Sequence, residues 1–426
     1  MDAIFSFAFA ISLFFSADFL TIFGNSIGKG GIWFLGLLIL VFAFHSYTAK
    51  SYGAIYSGNK DLNDEYSLIR HSLGGVTGFI FPFLTKALLT VCMGVGLLAT
   101  AGYAFNELFV RWFPNMGFTL LILGVLLLIS LAGPRRVRVC QLVFSGVTIL
   151  GILVLSAIGF VSYVDSSHTS GNFSFFQIEE MAWILPCFVL LMGFEMAKVH
   201  DPGMLQKSFS TKKMTVIGLI SGSIVLFLWG IVTLTAVSPE RISETYIPHL
   251  ITARAISGLY GRKIMGLIII FGSLAAVNAL LHYVSGIAGE VLSKEVPFRI
   301  DKKKYTAPSV IFLVFIIAGL LISGMAGEPE FETYIRGGIY LWLLNYGVVH
   351  FALYRMGRIR GKEERRLRSF MPYFSLIYSL IICVIYFGLV LTDHEAVSIL
   401  IFKGTIMGGA LLLYIFYRGI RAKLAQ

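Results

Sequence analysis

Charged residues are scarce in this sequence of 426 residues: only 13% are Asp, Glu, Lys or Arg, about half the share found in a typical soluble domain. Cysteine is also rare, and the four cysteines have no paired spacing, which argues against a disulfide framework and a thiolate metal site. No polar stretch is long enough to form a separate soluble domain. These absences argue against a water-soluble globular protein, and we predict no metal site.

Motifs of ATP-driven and hydrolytic chemistry are missing as well. The sequence contains no G-x-x-x-x-G-K-[ST] phosphate loop, no H-E-x-x-H zinc motif and no G-x-S-x-G nucleophile turn. A membrane-embedded enzyme would need a cluster of nucleophile and base, or of metal ligands. We therefore expect a chain that is not an enzyme, uses no cofactor and is not driven by ATP.

Apolar residues are abundant and make up 57% of the chain. They recur in runs of about 20 residues, the length with which a helix crosses about 30 Å of hydrocarbon, whereas barrel strands alternate over about ten residues. The predicted fold class is an all-α integral membrane protein with about 12 transmembrane helices, counted from hydropathy. The predicted spans are 3–23, 31–54, 74–106, 117–133, 139–163, 181–197, 214–237, 262–290, 307–326, 334–354, 371–391 and 396–417.

The net charge of +11 does not indicate nucleic-acid binding, because the basic residues concentrate in alternate loops. Of the 34 Lys and Arg, 25 lie in loops after even-numbered spans or in the C-terminal tail. The positive-inside rule places these loops, and both termini, in the cytoplasm. The basic runs at 135–138, 302–304 and 355–368 are then topology determinants that contact lipid headgroups. Residues 1–15 lack a basic n-region and a cleavage site, so we expect them to begin the first span.

The sixth predicted span carries the strongest signal for a broken helix. Pro186 removes a backbone donor, Gly193 loosens the following turn, and Glu195 places a carboxylate near the membrane interior. Transporters use such breaks to present helix ends to a substrate. The alternative is a kinked but continuous packing helix, in which Glu195 bonds to a neighbouring helix.

Two further charges lie inside predicted spans: Asp18 near the middle of the first and Lys86 in the third. Ionisable groups at such depth are costly and indicate function by default. A structural ion pair between Asp18 and Lys86, and a role of either in substrate binding or cation coupling, are both open. The histidines in or near spans, at 45, 282 and 350, are more typical of helix packing than of proton transfer.

Four stretches, in this order along the chain, resemble one family of permeases. They are Trp33, Tyr47 and residues 65–70; residues 73–79 with Tyr103, Phe113 and Pro114; Met192, Gly193, Phe194 and Glu195 with Asp201 and Pro202; and Gly272, Ser273, Leu274, Asn278, Ala279, Leu280 and Ser285 with Val296 and Pro297. Over residues 15–300 the chain thus resembles the amino acid–polyamine–organocation (APC) superfamily.

This resemblance implies the LeuT-type fold, a single transmembrane transporter domain over 1–426. Two five-helix inverted repeats, at 3–163 and 181–354, would be followed by two C-terminal helices at 371–417. The resemblance also implies a midplane substrate site where the broken first and sixth spans face the third and eighth. The predicted substrate-binding residues are Ser16, Ala17, Asp18, Phe19, Met192, Gly193, Phe194, Ser273 and Asn278, and the predicted coupling charges are Asp18, Lys86 and Glu195.

The first span departs from the family pattern at the substrate site. The family's glycines, whose exposed amides receive a substrate carboxylate, are replaced here by residues 16–20 without glycine. An anionic Asp18 would repel a carboxylate unless it were protonated or paired. We therefore expect Asp18 to carry a proton or to contact a substrate ammonium.

The leading hypothesis is a secondary active transporter in the inner (cytoplasmic) membrane. It would move amino acids or related amines by alternating access, coupled to H⁺ or Na⁺ or by exchange. The alternative is a transporter-like receptor that binds a small molecule without moving it. In either case the expected partners are a small-molecule substrate and membrane lipid, and the coupling ion and the oligomeric state stay open.

Overall fold

The computed structural model describes residues 2–56, 64–163, 185–198, 208–243, 245–295, 303–360, 371–393 and 395–424, and all regular elements among them are helical. The α-helices are α1 (Asp2–Ala10), α2 (Ala17–Tyr56), α3 (Glu65–Leu73), α4 (Gly75–Phe79), α5 (Thr85–Leu108), α6 (Asn115–Leu131), α7 (Pro134–Tyr163), α8 (Ser208–Ala236), α9 (Pro239–Ile242), α10 (Pro248–Glu295), α11 (Lys303–Ile322), α12 (Pro329–Arg360), α13 (Met371–Thr392) and α14 (Ala396–Leu424). The motif residues Asp201, Pro202, Val296 and Pro297 lie outside the described residues.

Within these ranges, six helices are long and apolar enough to cross a membrane. They are Ala17–Tyr56, Gly75–Leu108, Pro134–Ser162, Thr211–Ala236, Pro248–Ser293 and Tyr373–Thr392. Shorter apolar helices lie at Asn115–Leu131, Thr306–Ile322 and Ala396–Gly409, and the apolar segment Leu185–Ala197 contains two short 3₁₀ turns. A chain with this many apolar helices is a multi-pass membrane protein, so the predicted all-helical membrane class is confirmed.

Two of the long helices contain a kink at glycine. Gly31 in α2 has φ 52° and Gly258 in α10 has φ 57°, a region that favours glycine. Residues 24–30, predicted as a loop between the first two spans, are helical up to the kink at Gly31 in α2. Gly24 and Gly28 allow this segment to pack closely, since an added Cβ would lie 2.5 Å from Pro248 and 2.6 Å from Ser243.

Residues 65–73, predicted to lie in a cytoplasmic loop, form the helix α3, whose residues are mostly buried. Asp64 caps the start of α3, because its carboxylate accepts hydrogen bonds from the Ser67 backbone N–H and hydroxyl, both at 2.6 Å. Glu65 is only 3% exposed. The burial of this stretch was not predicted, because sequence polarity does not distinguish side chains hydrated by water from those paired inside the protein.

A π-helical turn, Ile80–Leu84, leads into α5 and contains Pro82. Proline supplies no N–H donor and clashes with the preceding turn of an α-helix, so a wider turn accommodates it. Lys86 follows directly in the first turn of α5 and is fully buried.

The helices form two compact units, and each unit is assembled from separate stretches of chain. The first unit comprises Met1–Lys50, Val95–Lys198 and Lys213–Leu280. The second unit comprises Ser51–Gly94, Val199–Lys212 and Leu281–Gln426. In the first unit α1 packs against α7, and in the second α12 packs against α3 and α13. Both units therefore depend on contacts between residues far apart in sequence.

Candidate functional site: two helix breaks and a buried charge network

The first predicted span is broken between α1 and α2, at residues 11–16. These residues form successive turns, in which the Ser12 hydroxyl donates to the Phe9 carbonyl at 2.8 Å and the Ser16 N–H donates to the Leu13 carbonyl at 3.1 Å. Serine side chains compete in this way with the helical hydrogen-bond pattern. Since irregular backbone inside a membrane survives only where protein or a cavity satisfies it, the break indicates a specialised site.

The sixth predicted span is broken as well, as its sequence indicated. Two short 3₁₀ turns, Leu185–Val189 and Phe194–Ala197, flank an irregular stretch that ends at Gly193, whose φ is 97°. Predicted residues 181–184 of this span lie outside the described residues. The alternative of a kinked but continuous helix is therefore wrong for the described part of the span.

The two breaks lie against each other in the first unit. A Cβ added at Gly193 would lie only 2.6 Å from the Leu13 side chain, so the absence of a side chain permits this contact. From α2, the His45 ring nitrogen Nε2 lies 2.8 Å from the Phe188 carbonyl oxygen. The resulting arrangement surrounds the break residues with protein, because Met192, Phe194 and their neighbours are buried.

Helix α10 also approaches the first break, at Gly272. A Cβ added at Gly272 would lie 2.5 Å from the carbonyl oxygen of Phe15, so only glycine allows this approach. Ser273 directly follows Gly272 in the sequence, and Ser16 directly follows Phe15. Two predicted site residues from distant parts of the sequence are thereby brought to one region.

Polar side chains of α7 and α10 hold the end of α1. The Asn278 amide donates to Gln141 Oε1 at 2.7 Å, and the Gln141 amide donates to the Ala8 carbonyl at 3.3 Å. The Ser145 hydroxyl also donates to the Ala8 carbonyl, at 2.9 Å. These donors satisfy a carbonyl that the end of a helix leaves without an intrahelical partner. Sequence reasoning missed Gln141 and Ser145, although a lone glutamine within an apolar span is a usable signal.

Three predicted substrate-binding residues carry buried polar atoms that are not hydrogen-bonded. Ser16 Oγ, Ser273 Oγ and Asn278 Oδ1 have no hydrogen-bond partner among the described residues, and all three residues are 0% exposed. Each such atom costs about 1–3 kcal/mol relative to a satisfied one. Unsatisfied buried polar atoms are uncommon in native structures, so each of these three calls for an explanation.

Asp18 lies in the first turn of α2, directly after the break. The positive end of a helix dipole stabilises a carboxylate there, which explains how a charge is tolerated within a predicted span. Ala17 and Phe19, on either side, are each 2% exposed and present apolar surface. Glu195 is fully buried in the turn that follows Gly193. All nine predicted substrate-binding residues therefore belong to the first unit.

Lys86 has a partner that the sequence analysis did not consider. Its ammonium lies 2.6 Å from Glu65 Oε2, and both side chains are nearly inaccessible. The sequence had offered Asp18 as the partner, because it was the other charge deep within a predicted span. The sequence did contain a signal for this pairing. Glu65 follows the helix-capping residue Asp64 next to a predicted span, and a carboxylate at the start of such a helix can point into the protein.

In sequence, no known protein-family model and no curated protein matches this chain. Among solved structures, a manganese transporter from Eremococcus coleocola, in complex with an aromatic bis-isothiourea substituted compound, is similar with a TM-score of 0.60 and 12% identity, over 98% of this chain and 94% of that one. Two mutants of the same transporter give TM-scores of 0.62 at 12% identity, over 97% of this chain and 93% of theirs.

This likeness extends over nearly the whole length of both chains. At 12% identity it concerns the fold, so the chain has the fold of a membrane transporter. Among the residues that the structure describes, no group of three or more His, Cys, Asp or Glu side chains is arranged to hold a metal ion.

Proposed function

We propose that this chain is a secondary active transporter that moves amino acids or related amines across the cytoplasmic membrane by alternating access. Its fold is shared with a transporter over nearly its full length, and its first and sixth predicted spans are broken and in contact. Broken helices at the substrate site are the common device of such transporters. We further propose that the fold is of the LeuT type with both termini in the cytoplasm, as the APC resemblance and the basic loops indicate.

The observation that carries the substrate proposal is the set of unsatisfied oxygens near the break. Asn278 Oδ1 can only accept a hydrogen bond, and the Ser16 and Ser273 hydroxyls can accept as well as donate. With the carboxylate of Asp18 at the start of α2, the groups available suit a ligand rich in N–H donors. A primary ammonium has three donors and a positive charge, so these residues favour the amine end of a substrate over its carboxylate.

A second candidate substrate is a divalent metal ion, because the similar solved structures are those of a manganese transporter. Carboxylate, amide and hydroxyl oxygens are ligands that Mn²⁺ accepts. In this chain Asp18 and Asn278 would supply the strongest oxygen donors. The amine remains the leading proposal, because it uses the same acceptors without requiring several anionic ligands.

Transport into proteoliposomes tests the proposal. Purified protein would be offered radiolabelled leucine, lysine, glutamate, putrescine and Mn²⁺ under imposed proton or sodium gradients. We expect accumulation of an amine-bearing compound that is lost in Asp18→Asn. Accumulation of Mn²⁺ alone would favour the second candidate, and binding without flux for every compound would replace the transporter with a receptor. Formation of a chemical product from any compound would contradict our proposal that the chain is not an enzyme.

Two serine variants separate binding from packing. Ser273→Ala removes a buried hydroxyl that has no partner, whereas Ser223→Ala removes one that already donates to the Leu219 carbonyl at 2.7 Å. If the unsatisfied oxygens bind substrate, Ser273→Ala raises the KM for uptake and Ser223→Ala leaves it unchanged. Equal KM values in the two variants would contradict the assignment of Ser273 to the site.

A further inference from the structure

The buried pair of Glu65 and Lys86 is part of a larger network in the second unit. The Tyr283 hydroxyl lies 3.1 Å from Lys86 Nζ and 3.2 Å from Glu65 Oε2, so it contacts both members of the pair. The Asn345 amide donates to the other oxygen of Glu65. These contacts join α3, α5, α10 and α12, so the charge state of Glu65 affects the packing of four helices at once.

Aromatic rings cover the rest of the lysine. Its Nζ lies 4.8 Å from the centre of the Tyr283 ring and 5.3 Å from that of Trp342. Ring faces attract a cation, and the attraction grows when water is excluded. The Lys86 ammonium therefore keeps favourable contacts that do not depend on Glu65.

A small cavity borders Glu65. Its volume is about 10 Å³, room for roughly one water molecule. Besides Glu65 it is lined by Tyr56, Asp64, Tyr66, Tyr283, Ile287 and Glu290. All of these except Ile287 carry a carboxyl or phenol group, and chains that include Asp or Glu serve as proton relays in pumps and transporters.

A buried ion pair adds little net stability, because burying two charges costs about as much as their attraction returns. The best-attested uses of such pairs are in specificity and switching. A static lock would also be served by a dry, apolar surround. Here the carboxylate borders a cavity lined almost wholly by groups that can hydrogen-bond to water.

We propose that Glu65 is a proton-binding residue that couples transport to a proton gradient. A proton arriving through the cavity adds to a carboxylate oxygen of Glu65 and forms the neutral acid, while Lys86 stays an ammonium held by the rings of Tyr283 and Trp342. The ionic contact is replaced by a weaker neutral one, which loosens α3 from α5, α10 and α12. This inference rests on the proposed transport function and names a different residue, Glu65 rather than Asp18, as the carrier of the coupling proton.

The protonation of Glu65 also depends on the charges around it. The titratable groups described at the network and its cavity are Lys86 from α5, Tyr283 and Glu290 from α10, Tyr56 from α2, and Asp64 and Tyr66 beside Glu65. Asn345 and Trp342, from α12, do not titrate.

Infrared difference spectroscopy tests proton binding without any substrate. The full chain in lipid nanodiscs would be titrated from neutral to acidic pH, and the spectrum of Glu65→Gln subtracted from that of wild type. We expect a carboxylic-acid C=O band that appears on acidification and is missing in Glu65→Gln. The control Glu107→Gln changes an exposed carboxylate that pairs with Arg262, and it should leave this band in place. Absence of the band at every pH where the protein stays folded would overturn the proposal.

Transport provides the second arm, using the labelled leucine, lysine, glutamate and putrescine. We expect Glu65→Gln to lose accumulation driven by a proton gradient but to keep exchange of labelled for unlabelled substrate. If Glu65→Gln does not fold, the double variant Glu65→Gln/Lys86→Met removes both charges together and restores neutrality. It should match the thermal unfolding of wild type yet fail to accumulate substrate. Gradient-driven accumulation by this double variant would show a static ion pair and overturn the proposal.

These outcomes separate the two proposals. If wild type exchanges none of the four compounds while the infrared band is present, the transport function proposed above fails and the protonation of Glu65 stands. If wild type transports and Glu65→Gln shows the same dependence on the proton gradient, the coupling role of Glu65 fails and the transport function stands.

Discussion

Substitution of Gly193 by alanine measures how tightly the two helix breaks are joined. Gly193 has φ 97°, where an L-residue is strained by about 1–2 kcal/mol. The new Cβ would also lie 2.6 Å from Leu13 Cδ1, 3.2 Å from its Cβ and 3.2 Å from its Cγ. Contacts this short force the side chain or the break to shift, at about 1–3 kcal/mol for overpacking. We therefore expect Gly193→Ala to destabilise the protein by about 2–5 kcal/mol in total.

The assay is thermal unfolding of the purified protein in nanodiscs, with Gly146→Ala as the control. Gly146 lies in α7, and a Cβ there would meet nothing within 4 Å. Alanine at this position should therefore be neutral or stabilise the helix by about 0.5–1 kcal/mol. A Gly193→Ala protein that unfolds at the same temperature as Gly146→Ala would refute the close contact between the breaks.

A double variant divides the cost into its two parts. Leu13→Ala removes the atoms that the new Cβ would meet, but it leaves the backbone strain at Gly193 unchanged. In the Gly193→Ala/Leu13→Ala protein, the loss of stability should be smaller than the sum of the single losses by about 1–3 kcal/mol. Additive losses would show that backbone strain alone accounts for the effect.

Two further predictions concern charged groups. Lys86→Met leaves Glu65 buried without its cation, so we expect a loss of about 3–5 kcal/mol in thermal unfolding experiments, and the loss should shrink when Glu65→Gln is added. Asp393, between α13 and α14, has a lowered pKa: burial would raise it, but the Glu395 backbone N–H and the charge and hydrogen bonds of Arg336 outweigh that effect. Because the pKa of Asp393 is lowered in the folded protein, its ionised form stabilises the fold at pH values above the ordinary pKa of 3.8. This stabilisation is lost as the pH falls from 3.8 through the lowered pKa. The difference in unfolding temperature between wild type and Asp393→Asn should therefore be largest at neutral pH and disappear at acidic pH. A difference that does not depend on pH would contradict the pairing of Asp393 with Arg336.

The predicted membrane class followed from composition because a helix must satisfy its own backbone in hydrocarbon. Apolar runs of fixed length therefore mark helices without any knowledge of their neighbours, and most of the described helices overlap those runs. The break at Gly193 was equally local, since proline and glycine act through their own backbone. The assignment of substrate-binding residues stays a prediction, as does the count of about twelve spans.

The partner of Lys86 was outside the reach of local reasoning. Glu65 lies in a polar stretch whose pattern is that of a hydrated loop, and only the packing of α3 against α12 shows that it is buried. The same holds for the network from Asn278 through Gln141 to the Ala8 carbonyl, whose members are more than a hundred residues apart. Sequence patterns report the distribution of polarity along the chain, whereas pairing inside a membrane depends on which helices pack together.

The sequence by itself thus determined that the chain is a bundle of membrane helices, with Asp18, Lys86 and Glu195 as costly charges and a break in the sixth span. Only the tertiary structure decided that the two breaks touch, that Ser16, Ser273 and Asn278 keep unsatisfied oxygens, and that Lys86 is neutralised by Glu65. Hydrophobicity and backbone chemistry are properties of single segments. Neutralising a buried charge requires a second group at hydrogen-bond distance, and the position of that group is set by the fold.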